Sequence, residues 1–254
     1  MCLASGHPSS FSLIFHWLLS LDRFVSAAGE GVVLTSRITE GVFFSAPADL
    51  PRGRHELSRD KVLSAQRERL MIATTELMAE SGYQGVAVRR IAKRAKVSPA
   101  AFYECFPDKD ACVFAAYGRF IEVLLNRIRD VLPTASFAWD HRTIAVVVDG
   151  YLSALNADPV VARAFQVEMD TVGRRARVQR RAALVGMAQA LKSERERSPG
   201  NPRAPLSAYV GAVYAIRQLA SDALDEPEEG SVTDLSAEAG VWIAAMLSSA
   251  QDGT

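Results

Sequence analysis

Val88-Arg89-Arg90-Ile91-Ala92-Lys93-Arg94-Ala95-Lys96-Val97-Ser98-Pro99-Ala100-Ala101-Phe102-Tyr103-Glu104-Cys105-Phe106 is the stretch that decides how this chain folds. Its first part places Val88, Ile91, Ala92 and Ala95 at the spacing of one buried helical stripe. Lys96-Val97 makes a turn. Ser98 then offers a hydroxyl to an unpaired first-turn amide, and Pro99 sits where a missing N–H costs nothing. A second short helix is therefore expected, ending near Phe106. Helices of about eight residues are only ~12 Å long and marginal alone, so each must be held by tertiary packing.

Two such helices packed across a turn form a helix-turn-helix, whose second helix matches the width of the DNA major groove. Outward from this block the chain stays helical. A helix is expected over about 58 to 81, with Leu70, Ala73, Thr74, Leu77 and Met78 as its buried stripe and Gly82 as its stop. Pro107-Asp108 re-caps the chain for a helix over about 109 to 131. Five more are expected over about 140–156, 159–171, 174–196, 206–224 and 233–249, with Asp158-Pro159 as a second cap pair and Pro199, Pro202 and Pro205 marking a loop. No stretch alternates apolar and polar residues cleanly, so the fold class is all-α. The expected organisation is a three-helix head at 58–118, a helical body at 119–250, and an extension at 1–57 that is disordered or translated from a misplaced start.

Lys plus Arg equals Asp plus Glu at 29 each, so affinity for a polyanion has to be local. Between 84 and 96 lie Arg89, Arg90, Lys93, Arg94 and Lys96 with no acid among them, while Asp222, Asp225, Glu226, Glu228 and Glu229 stand far along the chain. A solvated helix face is the plain alternative. Arg52-Gly53-Arg54 reads either as a minor-groove arm or as a solubilising leader. The cysteines Cys2, Cys105 and Cys112 are too few for a disulfide framework and fit a reducing, cytoplasmic setting. The apolar run at 11–21 is too short to span a bilayer and lacks a preceding Lys or Arg, which leaves export as the lesser reading and no membrane partner.

The head resembles the TetR family of bacterial helix-turn-helix regulators. The resemblance rests on Gly82-Tyr83, Val88-Arg89-Arg90-Ile91-Ala92, Ala95 through Tyr103, Phe106 and Lys109, and covers residues 66 to 117 well. It implies a double-stranded DNA operator, a homodimer and an unknown small-molecule inducer. It further implies that Ser98, Tyr103 and Lys109 contact phosphate, that Pro99, Ala100, Ala101 and Phe102 face base edges, and that Ala87, Arg89 and Lys96 complete the contact set. Phe106 is expected in the core, and Glu104 offers an acceptor to cytosine. The family's turn glycine is replaced by Lys96, at about 1–2 kcal/mol if the backbone is left-handed there. Ala87 lacks a capping hydroxyl, a loss of about 1 kcal/mol.

For the body, the resemblance implies a pocket among the middle helices, with Phe114, Tyr117, Phe120, Tyr151 and Phe165 as candidate lining. It implies a dimer bundle from the last two helices, through Tyr209, Val210, Val213, Ile216, Leu219 and Ala220 on one side and Val241, Trp242, Ala245 and Met246 on the other. Arg174, Arg175, Arg177, Arg180 and Arg181 read as a solvated face, with an anionic inducer as the alternative. The chain carries no G-x-S-x-G, G-x-G-x-x-G, P-loop or HExxH motif, so no enzyme activity is expected. No metal or other cofactor is expected either, since the four histidines have no ligand spacing. A repressor, an activator and a thiol-responsive regulator using Cys105 and Cys112 all remain compatible with this head.

Overall fold

Capping residues set where the helices begin. In the computed structural model, which describes residues 38–47, 58–132, 139–197, 200–201, 203–225 and 235–249, Ser58 accepts from the Lys61 amide (3.4 Å) to open α1, Arg59–Gly85. Ser98 opens α3, Pro99–Cys105, and Asp108 opens α4, Lys109–Val131, each accepting from the amide three residues on (3.1 and 2.7 Å). Asp140 opens α5, His141–Ala157, in the same way (2.9 Å). Between α1 and α3 runs α2, Val88–Ala95. The remaining helices are α6, Pro159–Ala162; α7, Arg174–Arg197; α8, Leu206–Asp225; and α9, Leu235–Ser249. No strand forms among the described residues, and the fold is all-α.

The head is α1–α3 packed on the start of α4. Leu70, Ala73, Thr74, Leu77 and Met78 are all buried, and so are Met71, Ile72 and Thr75, because this half of α1 is covered on two sides. Gly82 takes φ +62°, a left-handed backbone open to glycine, and a Cβ there would meet the Glu168 carboxylate at 2.9 Å. In the body, α5 lies against α9 at Gly240, where a Cβ would meet the His141 carbonyl at 2.5 Å. One hydrophobic cluster runs from Leu70 in the head to Leu247 in the body. No single described helix is long and apolar enough to cross a membrane.

Two expectations need correction. The segment after Asp158-Pro159 is not one helix: α6 gives way to a π-helical turn, Arg163–Val167, then a 3-10 turn, Glu168–Val172, ending at Gly173 with φ +109°. The buried Gln166 carbonyl accepts from Arg217 and from the Ser221 hydroxyl (3.1 Å), tertiary partners that sequence periodicity cannot report. Second, the expected extension at 1–57 includes part of the core. Ile38, in a 3-10 turn Ile38–Glu40, is buried together with Phe43 and Phe44, and the Phe43 ring stands 5.1 Å from that of Phe120. Three apolar residues without a regular period give no sequence signal. Arg52, Arg54 and the apolar run at 11–21 lie outside the described residues.

Asp158 caps α6 from a buried position. Its Oδ1 accepts from the Val161 amide (3.4 Å), while Oδ2 is buried and has no hydrogen-bond partner. Burial pushes this carboxyl up to about 6. A carboxyl held above its unfolded value costs stability as pH rises through the window between the two values. Asp158→Asn keeps the cap and removes the charge. Between pH 4 and 6.5 the unfolding free energy of the native chain is therefore expected to fall relative to that of D158N. Parallel slopes in denaturant titrations across that range would refute this.

Candidate nucleic-acid interface and effector cavity

The turn of the head is a Schellman motif: the Val97 amide donates to the Ala92 carbonyl (3.0 Å) and the Lys96 amide to that of Lys93 (3.2 Å). Lys96 supplies the left-handed residue, with φ 56° and ψ 39°. The strain expected there is therefore present, and the side chain stays exposed. Lys96→Gly should raise stability by about 1 kcal/mol by relieving it, while removing one exposed ammonium beside α3 should lower the salt slope of DNA binding by about one. Thermal melts and salt titrations on the same preparation test both directions.

The five basic residues of the patch do different work. Arg94 makes a two-pronged pair with Glu80 (2.7 Å to each oxygen) and reaches Glu76 (3.2 Å). Arg90 donates to the Gly85 carbonyl and to Ser81. Both hold α2 to the end of α1. Arg89, Lys93 and Lys96 are exposed. In the next helix, Ser98 at the cap and Pro99, Ala100, Tyr103 and Glu104 of α3 are exposed, with Ala101 half-buried. Tyr103 is 58% exposed. Arg67 clamps this helix from α1: its guanidinium donates to the Cys105 carbonyl and lies 4.2 Å from the Phe106 ring centre. Glu104 lies 3.7 Å from Arg59 on the surface.

The body forms a partly open cavity of about 90 Å³ between α4, α5, the π turn, α7, α8 and α9. Its wall is almost wholly apolar, including Phe120, Leu124, Ile128, Leu184, Met187 and Leu247. The polar groups gather around the π turn. Gln166 donates to the Tyr151 hydroxyl (2.8 Å), and Arg217 reaches the Gln166 carbonyl and Asp170 (3.4 Å). Arg180 pairs with the same Asp170. Burial pushes the Tyr117 phenol up to about 12 and the Tyr151 phenol higher still, so both stay protonated at neutral pH. Burial also lowers the pKa of both arginines, and for Arg180 the neighbouring Arg217 charge adds to the effect.

Residues 70–116 match the model of the bacterial regulatory proteins of the tetR family. The head of this chain belongs to the TetR family. The regulator YuxN of Bacillus subtilis is 34% identical to it over 67 residues, which is 26% of this chain and 23% of YuxN. The transcriptional activator FasR of Mycolicibacterium smegmatis is 31% identical over 90 residues, 35% of this chain and 39% of FasR. The matches thus span well under half of these relatives' length. In fold, the chain is similar to the fatty acid degradation regulator FadR of Bacillus halodurans, with TM-score 0.62 and 17% identity over 70% of this chain and 94% of that one. It is also similar to FadR of Bacillus subtilis, solved with stearoyl-CoA, with TM-score 0.59 and 17% identity over 71% and 97%.

Within the TetR head, Arg89, Lys96, Ser98, Pro99, Ala100 and Tyr103 are each exposed, as is Ala87, which opens α2 without a side-chain cap. Two residues depart from expectation. Phe102 is fully buried, stacked edge-on with Tyr103 and packed near Phe106, so its ring meets no base edge. Lys109 turns inward: its ammonium donates to the Val86 carbonyl (3.2 Å) and sits 3.9 Å from the centre of the Tyr83 ring, whose hydroxyl donates to Asp110.

In the body, Tyr117, Phe120, Tyr151 and Phe165 line the cavity, but Phe114 does not; its ring lies under Arg175 instead (4.2 Å). Tyr209, Val213 and Ile216, expected at a dimer seam, line the cavity too, and Ala220 is buried. Trp242 and Met246 are half-buried against the core. The outward stripe of α8 is instead Ser207, Gly211, Tyr214, Gln218 and Asp222, whereas that of α9, Ala237, Val241, Ala245 and Ser248, includes the expected Val241 and Ala245. Of the arginine run, Arg174, Arg175, Arg177 and Arg181 are exposed, whereas Arg180 reaches the cavity. Sequence reasoning missed Arg217 and Gln166, which only the π turn brings together.

Proposed function

We propose that this chain is a dimeric transcription regulator of the cytoplasm that holds a palindromic operator through its TetR head and releases it when a small molecule enters the body cavity. The observation that carries this reading is that α4 serves both parts. Its first turn clasps the head through Lys109 and Asp110, and its later turns present Tyr117, Phe120, Leu124 and Ile128 to the cavity. An engineered apolar cavity that admits benzene measures roughly 150 Å³, so an occupant of this smaller one parts the walls and displaces α4. Such a displacement shifts the population between operator-competent and incompetent states. The stearoyl-CoA held by the similarly folded FadR of Bacillus subtilis supports an apolar effector.

The exposed Tyr214 and Val241 on the outward stripes of α8 and α9 are the surface we assign to the dimer. Release of a repressor is the reading preferred here. An activator is the second reading, because the similar head of FasR belongs to a protein named an activator. Thiol control is disfavoured: Cys105 and Cys112 are both buried, and burial raises both thiols, Cys112 to about 12, whereas a reactive cysteine needs a thiolate. Fluorescence anisotropy with random duplex should show salt-sensitive affinity, and a genome-wide footprint should return paired half-sites about 34–36 Å apart. Affinity for duplex no greater than that of serum albumin in dilute buffer would end this reading.

A further inference from the structure

The geometry points to an effector with one anionic head and an apolar tail, a medium-chain carboxylate, seated with its carboxylate on Arg180 and Arg217 beside Asp170. This rests on the reading of the cavity as an effector site. Two guanidinium groups reach the polar end of an otherwise apolar cavity, and Arg217 is 7% exposed. Among the described residues, one carboxylate, Asp170, pairs with both of them. The other acid acting on Arg217, Asp222, is exposed on the outer stripe of α8, where it accepts from Gln218.

The cavity end therefore carries one positive charge more than its immediate partners balance, and the phenols beside it, Tyr117 and Tyr151, are neutral. Uncompensated buried charge is costly, and a guanidinium cannot shed its proton. A ligand that brings a single carboxylate removes that cost and finds a planar, two-pronged partner. The Tyr151 hydroxyl accepts from Gln166 and keeps its own proton to donate to the incoming oxygen. From Arg180 the lining continues through Leu184 and Met187 to Leu191, a run of roughly 16 Å at the helical rise, which suits an extended chain.

The probes are decanoate, methyl decanoate and decanoyl-CoA, titrated calorimetrically into the purified full chain. Decanoate is expected to bind saturably, one per chain, and at least tenfold more tightly than its methyl ester. Arg217→Gln and Arg180→Gln should each erase that preference, and Asp170→Asn should tighten decanoate severalfold, a gain that no general loss of structure produces. An ester that binds as tightly as the acid, a preference that survives both arginine replacements, a D170N chain that binds decanoate no better, or decanoyl-CoA binding tenfold tighter than decanoate would each overturn the proposal. Duplex affinity in dilute salt, measured on the same preparation, separates the two levels. If the duplex is held but acid is not preferred, this inference alone falls. If acid is preferred without any hold on duplex, the regulatory reading falls and the carboxylate site stands.

Discussion

Phe102→Ala is expected to unfold the head, while Tyr103→Ala, one residue on, leaves it folded and weakens its hold on DNA. The Phe102 ring is fully buried between Tyr103 and Phe106. Truncating a buried phenylalanine costs about 3–5 kcal/mol, a large share of the 5–15 kcal/mol that typically holds a domain together. α3 has seven residues and no stability of its own. Its other tethers, the Arg67 clamp and the Ser98 cap, grip its two ends and not its middle. Tyr103, by contrast, is largely in water. Its removal should change stability by no more than about 0.5 kcal/mol, and losing a hydroxyl-to-phosphate bond should lower affinity by about fivefold, the equivalent of roughly 1 kcal/mol. Chemical denaturation and duplex titration of both variants check the pair. A stable, DNA-binding F102A would show that the ring is not what holds the recognition helix.

Phe43→Ala should destabilise the body by a similar amount, about 3–5 kcal/mol. Phe43 is buried and packs at a tilt against Phe120, which in turn contacts Tyr117 and Phe165 at the cavity wall (6.2 and 5.3 Å between ring centres). The loss should therefore also appear at the cavity: decanoate affinity should fall in F43A, because Phe120 loses its backing. A melting temperature equal to that of the unaltered chain would mean that residues 38–47 do not pack as described.

How legible each part was depended on the range of the interaction that made it. α3 and α4 begin where capping places them, because Ser98 and Asp108 act within a few residues of themselves, whereas α1 runs past the expected stop at Gly82 to Gly85. Phe102 misled because an aromatic on a seven-residue helix carries no mark of which side it faces. Lys109 misled because its acceptors, the Val86 and Tyr83 carbonyls, lie more than twenty residues away in sequence. α8 misled more instructively. It has one strongly apolar stripe, and periodicity alone cannot say whether that stripe meets the chain's own core or a second copy.

The capped helix starts at Ser98, Asp108 and Asp140, the left-handed turn at Lys96 and the family of the head followed from the sequence alone, since caps, glycines and stripe spacing are local physics. Only the tertiary structure decided that Ile38, Phe43 and Phe44 close the core, that Tyr209, Val213 and Ile216 look inward, and that Arg180, Arg217 and Asp170 meet at one end of a cavity. Those outcomes depend on how helices far apart in the chain share out buried space and charge, and no single segment contains that information.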